Sequence, residues 1–251
     1  ERIRESVRPE REKLRGRNAT ADDRARNWWK YGRRSPAMRK AIADLSEVLV
    51  IALVSKTVMP MRVRAAQVFS HKLGVFATDS LSDQALLSSN VHLVWAVKYS
   101  STLETRVNYS PSDAFLTFPH PPATDRLEAV GRILDSERRA TMLGRGLGLT
   151  KLYNLVNDPT VQGDREVDRL REIHVAIDEA TTAAYGWDDV DLSHGFDSLR
   201  QMRRWTIGPA ARVEILDRLL VENHRRAADG HGSSASTPRV TAPMEEGTLF
   251  E

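Results

Sequence analysis

Leu103, Thr105 and Val107 alternate with Glu104, Arg106 and Asn108. On a strand, that alternation puts Glu104 and Arg106 on one face, a carboxylate beside a guanidinium. Together they offer acceptors and a donor fork, which suits the recognition of something planar and polar. The same two side chains could instead make a surface ion pair with no further role. Three hydroxyls precede them (Ser100, Ser101, Thr102), and Tyr109-Ser110-Pro111 follows. The residue before a proline is pushed out of helical geometry, so the chain must turn there.

The elements around this stretch have to position it. Leu87, Val91, Val94 and Lys98 recur at three- and four-residue spacing, which predicts a helix with one apolar stripe and Trp95 beside it. Phe115, Leu116 and Phe118 re-enter a core before Pro119, Pro121 and Pro122 stop the segment. A buried helix therefore delivers the chain to a polar strand closed by prolines.

With its Trp-containing helix, Ser100–Pro121 resembles the target-recognition region of adenine-specific (N6) DNA methyltransferases of the type IIG and type IIL restriction–modification kind. Further segments match in order: Arg8-Pro9-Glu10-Arg11, Trp28-Trp29-Lys30-Tyr31, Arg34-Ser35-Pro36, Leu149-Thr150-Lys151-Leu152-Tyr153-Asn154 and Ala184-Tyr185-Gly186-Trp187. The resemblance runs from about Arg8 to His224. It implies double-stranded DNA as a partner and a methyltransferase domain in cis or as a partner subunit. S-adenosylmethionine is implied for that parent enzyme, within restriction–modification or another phage-defence system. It also points to the Glu104–Arg106 strand as a place where bases are read. There a carboxylate can accept from cytosine N4, and Arg can grip guanine O6 and N7. Backbone contacts are expected from Lys56, Arg62, Arg64 and Lys98 near strand ends and from Ser100, Ser101 and Thr102, with Tyr109 and Ser110 adjoining.

Charge is unevenly distributed. Residues 1–40 hold 14 Lys and Arg against 6 Asp and Glu, a net of +8, leaving 23 against 28, a net of −5, in the rest. A basic segment with interleaved Trp28, Trp29 and Tyr31 can neutralise phosphates while its rings pack; a solvated basic helix is the plainer reading. The absence of cysteine excludes disulfides and thiolate metal sites. The longest apolar run, Val48–Val54, is far too short to cross a bilayer. No secretory signal is visible, so a cytoplasmic protein is expected. A first residue of Glu hints at a fragment of something longer.

The chain divides into a basic linker over 1–36, an α+β recognition domain with a small mixed sheet over 37–122, a mainly helical region over 123–226 and a disordered tail over 227–251. In the first domain a helix is expected over Ala37–Leu45, a strand over Val48–Met59 and a turn at Pro60. Two short strands within Gln67–Thr78 and one or two helical pieces over Leu81–Tyr99 follow. Trp28 and Trp29 should dock as core anchors. Thr124 caps a helix carrying Leu127, Val130 and Leu134. Gly144, Gly146 and Gly148 form a hinge, because a charged helix rather than a strand precedes them. His174 shares an interior face with Val167, Leu170 and Ile177. Asp188, Asp189, Asp191 and His194 fit no standard metal spacing and read as a solvated turn. Pro209 opens a last helix with Val213, Leu216 and Leu220 on its apolar side.

An amino-methyltransferase needs a glycine-rich loop after its first strand and a polar-Pro-Pro-aromatic motif. Pro121-Pro122 are flanked instead by His120 and Ala123. A nuclease signature ending in Glu-x-Lys is also missing from any strand context. The chain alone is expected to carry no catalytic site. Two classes of function remain: a sequence-reading DNA-binding module, or a scaffolding module that docks on a methyltransferase or another partner without reading DNA.

Overall fold

Val48, Leu49, Val50 and Ile51, four consecutive buried residues, form the centre of β1 (Glu47–Ala52). A β-branched run of that kind belongs in a strand covered on both faces. In the computed structural model, which describes residues 1–30, 35–104, 106–200 and 202–229, β1 is the middle strand of a three-stranded sheet. Tyr31, Arg34, Thr105 and the expected tail beyond residue 229 lie outside the described residues.

Two compact units divide the chain, Glu1–Ala41 and the remainder from Ile42. The first contains α1 (Arg2–Glu12), α2 (Ala19–Arg26) and α3 (Pro36–Ala41). α1 is a helix within the stretch expected to be a basic linker, supported by an Arg8–Glu12 ion pair one turn apart. Trp28 packs edge-on against Trp29 with the Arg8 guanidinium over its ring. Trp29 remains 58% exposed, so it is not the core anchor its size suggests.

In the second unit β1 pairs antiparallel with β3 (Met61–Arg64) and β4 (Leu73–Phe76), in the order β3-β1-β4. The strand expected over Val48–Met59 breaks at Leu53, whose amide and carbonyl bond Lys72 and Tyr109 rather than continue one ladder. Beyond it β2 (Val54–Ser55) starts a second sheet, β2-β6-β5, with β5 (Ser101–Leu103) and β6 (Arg106–Asn108). Both sheets are antiparallel, so the fold is α+β as expected. β3 occupies a stretch read from sequence as a turn and its flank, while only one of the two strands expected within Gln67–Thr78 forms.

Two helices supply the middle of the unit. Ser80 caps α4 (Leu81–Ser88) by accepting from the Asp83 amide, and Ser89 caps α5 (Asn90–Tyr99) by accepting from the His92 amide. Every residue from Asn90 to Ala96 is buried. α5 is therefore enclosed on all sides, and the stripe expected at Leu87, Val91 and Val94 is part of a wider buried surface. A single π-helical turn, Pro111–Phe115, follows β6 and buries Ala114 and Phe115.

Beyond the prolines come α6 (Asp125–Arg145), α7 (Leu149–Val156), α8 (Arg165–Ala184) and α9 (Pro209–Ala228), with a hairpin of β7 (Gly195–Leu199) and β8 (Met202–Thr206) between the last two. That hairpin is the one β element in a region expected to be mainly helical, among the described residues. Helix α9 extends past the expected start of the tail. Its buried stripe is Ala211, Ile215 and Leu219 at four-residue spacing; Val213 stays exposed, and Leu216 and Leu220 are only partly covered. Three cores result. Leu49, Phe76, Val107 and Phe115 centre the first, beneath the sheets. The second joins Ala85 of α4 to Leu134, Leu152 and Ile177 of α6, α7 and α8. In the third, Trp95 of α5 meets Phe118, Ile207 and Ile215. Packing thus continues across the prolines at 119–122.

Candidate nucleic-acid interface

Residues Ser101–Asn108 do not form one strand. β5 and β6 fold back on each other with Ser101 opposite Asn108, Thr102 opposite Val107 and Leu103 opposite Arg106. The turn begins at Glu104, a non-glycine residue with φ +57°. Glu104 and Arg106 are therefore neighbours because a tight turn brings them together, not because they share a strand face. Their charged atoms lie 3.6 Å apart, with side chains 73% and 47% exposed. In that exposure the pair is held weakly.

The hydroxyls and tyrosine around this hairpin divide between surface and interior. Ser101 and Thr102 are exposed, and Ser101 Oγ accepts from Asn108 Nδ2 at 3.0 Å. Ser100 is buried, its Oγ accepting from the Ser110 amide at 3.3 Å. Ser110 caps the π-helical turn, with its Oγ donating to Asp113 at 2.6 Å. Tyr109 is a core residue. Its hydroxyl donates to His92 Nε2 at 3.1 Å, while His92 Nδ1 donates to the Leu87 carbonyl at 3.0 Å. Burial pushes the Tyr109 phenol up and holds the His92 imidazole down at about 3. Both groups are neutral pieces of scaffold beneath the hairpin.

The four cations expected at strand ends separate into two places. Val54 pairs with Asn108 and Ser55 with Val107, so Lys56 follows directly where the register reaches Arg106. Lys98, exposed in the last turn of α5, lies just before β5. Arg64 instead faces Glu47 at the start of β1, in the other sheet from the β2 strand that Lys56 follows. Arg62, beside Arg64 on β3, is occupied: it donates to Glu47 Oε2 at 2.5 Å and to the Asp79 carbonyl at 2.6 Å. Lys56, Lys98, Ser101, Thr102, Glu104 and Arg106 are gathered around the small sheet; Arg62 and Arg64 are not.

The sequence reading also misses the β7–β8 hairpin. Its tip meets the same region: Leu199 packs on the first core with Val97, and Arg200 donates to the Val97 carbonyl. Phe196-Asp197-Ser198-Leu199 and Met202-Arg203-Arg204-Trp205 do not alternate, so period-two patterning gave no signal for it. Gly144, Gly146 and Gly148 connect α6 to α7, with Gly146 capping α6 at φ +60°. A helix-to-helix connection is not a strand-to-helix phosphate loop, so these glycines do not fit a nucleotide or S-adenosylmethionine cradle. Asp189 bonds Arg218, Asp191 accepts from the Ser193 amide and His194 donates to Asp178, so the acidic turn is dispersed among separate partners.

No family model matches the chain, and no curated protein matches it. Among solved structures, the fold is similar to that of the type IIL restriction-modification enzyme MmeI in complex with DNA, with a TM-score of 0.61 and 18% identity over 86% of this chain. The matched region is 25% of that enzyme's chain.

Proposed function

We propose that this chain is the sequence-reading DNA-recognition part of an adenine-N6 DNA methyltransferase in restriction–modification or related phage defence. Its methylating domain, with S-adenosylmethionine, would be supplied in cis or by a partner subunit. The observation that carries this reading is the fold similarity to MmeI, whose structure was determined with DNA, over 86% of this chain. The exposed hairpin gives the reading a chemistry. Glu104 would accept from cytosine N4, and Arg106 would donate to guanine O6 and N7. Exchanging their loose ion pair for base contacts would cost little. Lys56, next in register to Arg106, with Thr102, Ser101 and Lys98 toward the base of the hairpin, would hold phosphates.

Duplex binding by the purified chain across a salt series tests the proposal. Affinity is expected to fall linearly in log–log form as phosphate contacts are screened. A chain with no measurable duplex affinity at low salt, yet binding to a methyltransferase domain, would replace this reading with the scaffolding one.

A further inference from the structure

We infer that the β7–β8 hairpin is a second DNA-contacting element, with Arg200 and Arg203 holding backbone phosphates beside the Lys98 end of α5. The inference rests on the DNA-binding reading above and extends it to a segment about a hundred residues further along the chain.

Charge supplies the first reason. Residues 41–251 carry a net of −5, yet Gly195–Thr206 contains Arg200, Arg203 and Arg204 against a single carboxylate, Asp197. That carboxylate is engaged by Arg212 at 3.5 Å. Arg203 is exposed and has no carboxylate partner among the described residues, in contrast to Arg132, Arg169 and Arg218 on the helices. A bare guanidinium on a locally positive ribbon suits a phosphate.

The second reason is placement. The hairpin base is fixed: the Arg171 guanidinium lies 4.9 Å from the Phe196 ring centroid, and the Trp205 amide donates to Asn157 Oδ1 at 3.1 Å. Arg171 itself donates to the Leu155 and Val156 carbonyls that end α7. From that base the ribbon runs to a tip where Arg200 has φ +56° and reaches the Val97 carbonyl, next to Lys98. Both hairpins therefore turn on a charged non-glycine residue in the left-handed region; the β7–β8 tip reaches the end of α5, from which β5 sets out. Arg203 and its partner Ser198 are exposed beyond the part of their ribbon face where Phe196 and Trp205 pack on Arg171, while Arg204 on the other face is buried and held down to about 10 by that burial. No unpaired carboxylate accompanies Arg203 on the ribbon among the described residues, so phosphate contact rather than base reading is assigned to it.

The test measures duplex affinity and its salt dependence for the whole chain, R203E, R203A and R200A/R203A, with R165E at the start of α8 as a control for the same change in charge. Thermal melting checks that each variant folds. R203A is expected to flatten the log–log salt slope by about 1, with R203E weaker again, R165E unchanged and the preference among duplex sequences retained. R203A and R203E binding like the wild type while the wild type binds DNA would overturn this inference and leave the proposed function standing. A wild-type chain without DNA affinity would overturn both. If R203E binds more weakly only to one sequence, phosphate contact is wrong and the hairpin reads bases.

Discussion

Asp178 and Asn90 are joined twice in the interior, the Asn90 amide reaching Asp178 Oδ1 at 2.6 Å and its Nδ2 reaching Oδ2 at 2.7 Å. His194 Nε2 donates to the same carboxyl group at 2.8 Å, and the Thr206 hydroxyl donates to Asn90 Oδ1 at 2.7 Å. One buried side chain of α8 thereby ties the start of α5 to the segment leading into β7 and to the end of β8. Asp178→Ala would strand three donors, and breaking such a buried charged network typically costs about 3–5 kcal/mol. Urea unfolding at neutral pH should show that loss. A shift below about 1 kcal/mol would mean that water or a neighbour replaces the carboxylate.

Buried imidazoles make stability depend on pH. Desolvation holds His92 at about 3 and His174 at about 4, against 6.5 for a free imidazole. For His174, the Asp178 charge partly opposes that burial. Between about 6.5 and the folded values, the unfolded chain binds protons that the folded chain refuses. The contribution is fully present above about pH 6.5 and is lost as pH falls toward the folded values. With both groups acting, the slope approaches about 3 kcal/mol per pH unit. Unfolding free energies between pH 7 and 5, above the ordinary carboxylate range, would display it. NMR titration of either ring near pH 6.5 in the folded chain would contradict it.

Gly131 lies where α6 crosses the start of α4. A Cβ there would be 2.0 Å from the Leu81 carbonyl oxygen and 2.7 Å from its carbon. On an open helix face, Gly→Ala helps by roughly 0.5–1 kcal/mol. Here the helices must move apart, and overpacking of this kind costs about 1–3 kcal/mol. Gly131→Ala should lower the melting temperature, whereas Gly144→Ala, with open space around its Cβ position, should not. Equal effects at the two sites would rule out the proposed crowding.

Under the proposed function, replacing Glu104 and Arg106 together in the parent methyltransferase that the proposal implies separates base reading from a surface ion pair. If the pair reads bases, preference at one position of the site should change or relax by about 1–3 kcal/mol. Methylated sites mapped genome-wide would record the change. Unchanged preference with only slower methylation would leave the 3.6 Å contact as an ion pair and nothing more.

Helices with local signals were legible from residue order alone. Thr124 before Leu127 and Leu134, and Pro209 opening α9, carry their caps and spacing within a few residues, so α6 and α9 could be placed without knowing their neighbours. The Val48–Ile51 run likewise marked a buried strand. The division of residues 1–40 from the rest by charge was equally visible. What the tertiary structure decided depends on partners far apart in sequence. The turn at Glu104 has no glycine or asparagine at its start, so alternation through Val107 suggested one continuous strand. Folding back becomes favourable because β2 pairs with β6 and buries Val107 against Leu49 and Phe76. Arg62, open by sequence, is claimed by Glu47 across the sheet, and Tyr109 is drawn inward to His92. Arg200 reaches Val97 from 103 residues away. Periodicity reports which face of an element is apolar; it does not say which other element will cover that face, and these side chains were assigned by that covering.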